Sequence, residues 1–205
     1  MSEYFKSVAL LFALLNPFLV LIYLIEMVKD LRMKQFAQII IYAGLVASVA
    51  YYCFAILGDA IFGDIVQAEF ASFQIFGGII FLIIGLQFVF HGPMGITLLK
   101  SKSGYSAGAV AMPVLIGPGT ISASVVIGKR HDPLEAIAVI LAAVVLSITI
   151  VLALKLLHDF VLPRNEPLVN RYIEITGRIS ALYVGTIAVE MIMKGLSTWA
   201  EKFST

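Results

Sequence analysis

Two short segments of the sequence, about one hundred residues apart, combine proline with residues that cap helices. The first is Asn16-Pro17, and the second is Gly117-Pro118-Gly119-Thr120. Proline collides with the preceding helical turn but fits the first position of a helix, where Asn or Gly precedes it as N-cap. Each segment therefore predicts that one helix ends and another begins. The start of a helix exposes unpaired N–H groups and a partial positive charge, which favours an anion-binding site.

Both segments lie in the middle of long apolar runs. Of the 205 residues, 60% are hydrophobic and 13% are charged, a balance typical of a membrane protein and not of a soluble domain. Six runs have the length of about 20 residues that a membrane-crossing helix needs. They are residues 7–25, 35–58, 70–99, 103–128, 136–154 and about 172–196. The runs predict an all-α bundle of six transmembrane helices in one domain, 1–205, with helices 1 and 4 broken at mid-membrane.

Shifting the chain by about one hundred residues brings similar residues into register. Pro17 then meets Pro118, and three glycines of the third helix recur in the sixth, namely Gly77, Gly85 and Gly95 as Gly177, Gly185 and Gly195. Chance is the alternative, because apolar helices use few residue types. Since each half holds three helices, the second half crosses the membrane in the opposite sense. This predicts a 3+3 inverted-topology repeat of residues 1–95 and 106–197, an architecture of secondary transporters.

The distribution of basic residues predicts the orientation. The connections after helices 1, 3 and 5 carry more Lys and Arg than the opposite side, which favours both termini outside the cytoplasm. The pair Lys129-Arg130 points the other way.

Two helix starts that face each other at mid-bilayer predict a site for a small carboxylate. The bland alternative is a pair of ordinary proline kinks, which membrane helices tolerate. The candidate substrate-binding residues are Asn16, Pro17, Gly117, Pro118, Gly119, Thr120, Ser122 and Arg178.

The sixth helix carries two charges that membrane insertion disfavours, Arg178 and Glu190. One interpretation pairs them with Glu174 and Lys194, four residues away on the same helix. The other places Arg178 in the cavity as a carboxylate partner and makes Glu190 the proton-coupling group. Gly177, Ala181 and Gly185 form a stripe of small residues that allows close packing of the sixth helix. Arg178 lies seven residues before Gly185, so its side chain is predicted to lie on roughly the same buried face.

Other chemistry is not indicated. The histidines at positions 91, 131 and 158 fall at the ends of spans, which predicts solvated side chains. Cys53 is the only cysteine, so no internal disulfide forms, and no spacing suggests a metal or a cofactor. The net charge of +1 gives no basic field for nucleic acid. No Gly-x-x-x-x-Gly-Lys-Ser/Thr loop for ATP is present.

Several of these segments resemble the MarC family of membrane proteins. They are the Asn-Pro of helix 1, residues 76–79, residues 112–122 with their Gly-Pro-Gly-Thr, residues 176–178, and the tail of helix 6 at residues 190–196. The resemblance implies six spans in the cytoplasmic membrane of a bacterium or archaeon. It also implies kinship with transporters of small neutral amino acids such as glycine and alanine (the SnatA type) and with exporters of the LysE type. It transfers no catalytic residue.

The sequence therefore predicts a secondary transporter that works by alternating access, with the lipid bilayer, a small amino acid and a coupling ion (proton or sodium) as partners. A membrane hydrolase would need a Ser/His dyad or paired aspartates within the spans, which contain no histidine or aspartate at depth. The chain is accordingly expected not to be an enzyme. A structural or regulatory bundle without cargo is the remaining alternative.

Overall fold

A computed structural model describes residues 3–62, 69–91, 115–161 and 166–203. These residues form eight helices and no strand, which confirms the predicted all-α class. The helices are α1 (Glu3–Leu15), α2 (Pro17–Tyr23), α3 (Ile25–Asp30), α4 (Met33–Ala60), α5 (Phe70–His91), α6 (Pro118–Arg130), α7 (Pro133–Val161) and α8 (Glu166–Phe203).

Five stretches of the described residues are long and apolar enough to cross a membrane. They are Glu3–Leu21, Met33–Gly58, Phe70–Gln87, Pro133–Val161 and Glu174–Glu201. Large apolar side chains such as Tyr42, Val49 and Phe90 are exposed on them, as a lipid-facing surface requires. The fourth predicted span begins outside the described residues, and α6, with 13 residues, is its second half. The molecule is a polytopic helical membrane protein.

The interior of the bundle lies where α1, α2 and α3 pack with α4, α6 and α7. Four residues of α4 at a spacing of four are buried: Ala43, Ala47, Tyr51 and Ala55. This spacing places them on one face of the helix, and α4 packs with it on both α6 and α7. Small side chains on this face allow the neighbouring backbones to approach.

The closest approach joins α4 and α6. A Cβ atom built on Gly128 would lie 1.7 Å from the carbonyl oxygen of Ala55. No side chain can occupy that space unless one helix moves, so the glycine fixes how α6 crosses α4.

Helices α5 and α8 run antiparallel along each other in the most extensive contact of the bundle. A Cβ on Gly195 would lie 2.8 Å from the carbonyl oxygen of Ala71, and one on Gly85 would lie 3.3 Å from that of Ala181. The buried face of α8 is a stripe at alternating spacings of four and three: Gly177, Ala181, Val184, Ala188, Met191 and Gly195.

The other contacts come in pairs. The contact of α4 with α6 in one half corresponds to the contact of α7 with α1 and α2 in the other. The contact of α5 with α6 corresponds in the same way to the contact of α8 with α2. The corners that follow α3 and α6 also match. The N–H of Leu31 donates to the carbonyl oxygen of Met27, and the N–H of His131 donates to that of Ile127. Both N···O distances are 3.0 Å. Both corner residues have an extended backbone.

Candidate functional site

The first helix is broken at Asn16, as predicted. Asn16 has a φ of 37°, a left-handed conformation that asparagine tolerates better than most residues, and α2 begins at Pro17. The Asn16 side-chain oxygen accepts a hydrogen bond from the N–H of Leu19 at 3.2 Å. Asn16 therefore ends one half-helix and caps the next.

The proline leaves a carbonyl of α1 without its helical donor. In an unbroken helix the N–H of residue 17 would bond to Ala13, four residues earlier. The Tyr183 hydroxyl of α8 donates to this Ala13 oxygen instead, at 3.3 Å. A side chain of α8 thus stabilises the break between α1 and α2.

The second predicted break lies at Gly117, and the structure describes it from Leu115 onward. Its extended backbone precedes Pro118, the first residue of α6, and its N–H donates to the Thr120 hydroxyl oxygen at 3.0 Å. This confirms the predicted N-cap position. What precedes Leu115 lies outside the described residues, so the first half of helix 4 stays a prediction.

Hydroxyl groups hold the exposed carbonyl at this second break. The Tyr51 hydroxyl donates to the carbonyl of Leu115 at 2.5 Å, and the Thr120 hydroxyl lies 3.0 Å from the same oxygen. The N–H groups of Gly119 and Thr120 have no acceptor among the described residues. The start of α6 therefore offers two free donors and a helix dipole.

Both breaks line one cavity. Asn16 from the first break and Gly117 and Thr120 from the second share it with apolar and aromatic side chains, among them Tyr23 and Phe81. Its free volume is about 30 Å³, enough for one or two water molecules. The two segments that the sequence singled out are thus neighbours in space.

Phe81 of α5 fills the space in front of the second break. A Cβ on Gly117 would lie 2.8 Å from its ring, and a Cβ on Gly119 would lie 3.2 Å from it. α5 also covers Pro118, because a Cβ on Gly77 of this helix would lie 2.0 Å from the Pro118 ring. The small volume of the cavity is therefore set largely by one aromatic side chain.

A wider groove lies on the other side of Asn16, with a volume of about 460 Å³. Pro17 and Tyr183 line it together with Asn16, so these residues separate the groove from the closed cavity. The groove is otherwise apolar, with Phe12, Phe18 and Ile179 among its walls.

Ser122 is not among the residues that line the cavity. Two residues along a helix correspond to about 200°, so Ser122 points away from the side of Thr120. Its hydroxyl is buried and has no partner among the described residues.

The structure also corrects the predicted burial of Arg178. Its guanidinium is exposed and pairs with Glu174 at 2.7 Å. The buried stripe of α8 passes through Gly177 and Ala181, which turns position 178 outward. Glu190 is likewise exposed and lies 3.1 Å from Lys194. Neither charge lines the cavity, and both form the ion pairs of the first interpretation.

Two histidines differ from the prediction of solvated side chains. His131 and His158 are 4% and 5% exposed. α7 continues to Val161, beyond the predicted end at residue 154, and thereby includes His158, which lies on the buried side of the helix. The side chain of His91 lies outside the described residues.

His131 belongs to a chain of hydrogen bonds that resembles a catalytic triad. Its Nε2 lies 2.8 Å from the Ser7 hydroxyl, and its Nδ1 lies 3.2 Å from the Glu135 carboxylate. Ser7 is only 1% exposed, so no substrate carbonyl reaches its oxygen. The arrangement ties α1 to the corner between α6 and α7.

Five long apolar helices, lipid-facing side chains and a small internal cavity define an integral, multi-pass membrane protein. The chain matches the MarC family of integral membrane proteins over residues 1–200 and belongs to that family.

Curated relatives of the chain come from both archaea and bacteria. A UPF0056 membrane protein of Pyrococcus horikoshii is 24% identical, over 95% of this chain and 94% of its own length. One of Methanocaldococcus jannaschii is 28% identical, over 91% and 92%. The UPF0056 membrane protein YhcE of Escherichia coli is 27% identical, over 94% and 91%. No solved structure matches the chain.

Proposed function

We propose that the protein is a secondary transporter of small neutral amino acids, such as glycine and alanine, or of similarly small carboxylates. The observation that carries the proposal is that both helix breaks line one cavity. In the proposal the chain lies in the cytoplasmic membrane with both termini outside. It performs no enzymatic chemistry and needs no metal or cofactor.

The start of α6 is the part of the cavity best suited to a carboxylate. The N–H groups of Gly119 and Thr120 have no acceptor there among the residues that the structure describes, and the dipole of a 13-residue helix favours negative charge. The Leu115 carbonyl oxygen and the Thr120 hydroxyl oxygen, 3.0 Å apart, are the acceptors that we propose for a substrate ammonium group. The apolar remainder of the wall favours a small uncharged side chain.

Substrate binding requires the cavity to grow. A volume for one or two waters does not hold the five heavy atoms of glycine, so the proposal requires a second conformation in which the cavity is wider. Phe81 is the residue whose movement would open the second break, because its ring lies against Gly117 and Gly119.

The paired contacts support alternating access. A pseudo-two-fold axis that relates residues 1–95 to 106–197 would produce the matching helix pairs, the matching corners at Leu31 and His131, and the antiparallel contact of α5 with α8. Such an inverted repeat has two equivalent arrangements of its halves, one open to each side of the membrane.

An ion gradient, of protons or sodium, would supply the energy. Glu190 is the sequence candidate for the coupling group, but its exposed pair with Lys194 gives it no contact with the cavity. The coupling group is therefore better sought among buried ionisable residues.

Uptake of labelled glycine or alanine into proteoliposomes tests the proposal. We expect saturable flux that Thr120→Val lowers about tenfold, because valine keeps the shape but removes the hydroxyl that caps Gly117. Thr149→Val is the matched control. The Thr149 hydroxyl also bonds to a backbone oxygen, at 2.7 Å, but it lies on an exposed face of α7, and its loss should leave flux unchanged.

The size of the cavity favours one alternative, a structural or regulatory bundle without cargo. Absence of saturable flux for every small amino acid, in both directions and under proton and sodium gradients, would contradict transport and leave this alternative.

A further inference from the structure

The last two turns of α7 carry a cluster of ionisable side chains that lies apart from the cavity, with Lys155 and His158 buried and Asp159 38% exposed. Lys155 is 2% exposed, and its ammonium group donates to the Asp159 carboxylate at 2.6 Å. It also donates to the carbonyl oxygen of Val28 on α3. Burial of these side chains was not expected, because the predicted fifth span ends at residue 154.

Lys155 connects α7 to the end of α3. The carbonyl of Val28 is among the last of α3, which have no N–H partner within the helix, and a lysine is a suitable donor for it. Val28 itself is fully buried. This contact closes the bundle at the end opposite to the one where Ser7 meets His131.

His158 is paired on one side only. Its Nδ1 lies 3.4 Å from the same Asp159 oxygen that accepts from Lys155, whereas its Nε2 is buried with no partner among the described residues. His131 differs, because both of its ring nitrogens have partners.

The two protonation states of His158 therefore fit this arrangement unequally. A neutral ring directs one N–H to Asp159. A protonated ring carries a second N–H at Nε2, for which the described residues offer no acceptor, and adds a cation beside Lys155. It also attracts Asp159 more strongly and so competes with Lys155 for that carboxylate.

The other ionisable side chains near this end of the bundle are exposed. Lys29 and Asp30 belong to α3, Lys34 belongs to the first turn of α4, and Arg171 belongs to α8. Among the described contacts, Asp159 is the charged group that meets His158, and Lys155 in turn donates to Asp159.

We propose that His158 binds the proton that is coupled to transport, and that its protonation loosens the contact of Lys155 with Val28. The inference rests on the proposed transport function. The proton is taken from water onto Nε2 when the α3–α7 contact opens, and it is returned to water before the contact closes. Imidazole suits this exchange because it changes charge near physiological pH.

Thiol labelling in nanodiscs tests the opening without any substrate. In a Cys53→Ala background, Val28→Cys places one thiol at the contact, where it is buried while the contact is closed. A bulky thiol reagent should therefore react only when α3 separates from α7. The labelling rate of this chain is measured at each pH and divided by the rate of the same chain that also carries His158→Gln. This ratio removes the intrinsic pH dependence of the thiol.

We expect this ratio to rise about tenfold between about pH 8 and about pH 5.5, with His131→Gln leaving the rise in place. A ratio that stays constant would overturn the inference. Titration of the three imidazoles by ¹⁵N NMR in the wild-type chain gives an independent result, with His158 assigned from the spectrum of His158→Gln. A His158 ring that stays neutral throughout this range would also overturn it.

Flux assays separate this inference from the proposed function. If transport exists but His158 does not couple it, His158→Gln keeps the pH dependence of glycine flux. If the chain transports nothing, flux is absent while the pH-dependent labelling persists.

Discussion

Replacement of Gly128 by alanine is expected to prevent the chain from accumulating as a folded, monodisperse protein. The added Cβ would lie 1.7 Å from the Ala55 carbonyl oxygen and within 2.9 Å of two further backbone atoms of that residue. Backbone cannot rotate away as a side chain can, so α6 must move off α4. We expect a loss of about 3 kcal/mol or more in the free energy of unfolding.

Gly185→Ala is the matched control for this prediction. A Cβ at Gly185 meets no atom within 4 Å, so the same methyl should change stability by no more than about 0.5 kcal/mol. Size-exclusion profiles and thermal unfolding in detergent measure both variants. Similar stability of the two variants would mean that α4 and α6 do not cross as described.

The second large effect is expected on transport. Gly119→Leu should abolish glycine flux, lowering it at least about 100-fold, while the chain remains inserted in the membrane. A Cβ at Gly119 already lies 3.2 Å from Phe81, 3.5 Å from Leu14 and 3.6 Å from Met191, so the rest of a leucine side chain must displace neighbours, of which Phe81 and Leu14 line the cavity. It would also cover the start of α6, where the N–H groups of Gly119 and Thr120 have no acceptor among the described residues.

Gly185→Leu provides the comparison, because it adds the same side chain at a position that does not line the cavity. Flux and thermal unfolding are measured together, so that a folding defect is recognised as such. Normal flux through Gly119→Leu would show that cargo does not pass the second break. A variant that combines Gly119→Ala with Phe81→Leu tests whether contact with Phe81 is the cause. The leucine at position 81 is shorter than phenylalanine, so it should relieve the contact with the added Cβ and restore the flux that Gly119→Ala alone removes.

The sequence was sufficient to predict both breaks, because their causes are local. Proline removes an N–H group wherever it stands, and Asn16 and Gly117 are residues that cap the helix that follows. The apolar runs likewise define five of the spans, since burial in lipid depends on composition along one segment. The start of α6 at Pro118 was predictable for the same reason.

The residues that complete the cavity could not be predicted, because their contacts join distant parts of the chain. Tyr51, Phe81 and Tyr183 are ordinary aromatic residues of apolar helices in the sequence. Only the packing of the helices brings their side chains to the breaks. A proline-freed carbonyl signals that a donor is needed but does not indicate which helix provides it.

Helix faces and helix ends were the least predictable features. Arg178 was assigned to the buried face because it lies seven residues from Gly185, but the packed stripe runs through Gly177 and Ala181, and a shift of one residue turns a side chain by about 100°. His158 was assigned to a loop because the count of apolar residues stopped at Lys155. A buried lysine that caps another helix looks, in the sequence, like the end of a span.

The central claim is that the two breaks form one binding site for a small carboxylate. Solid-state NMR in lipid measures this directly, using glycine labelled with ¹³C at the carboxylate and protein labelled with ¹⁵N at threonine and asparagine. We predict dipolar coupling from the bound carboxylate to the Thr120 backbone amide, at a distance of about 4 Å, and to the Asn16 side-chain amide. Bound glycine that couples to neither nitrogen would contradict the claim.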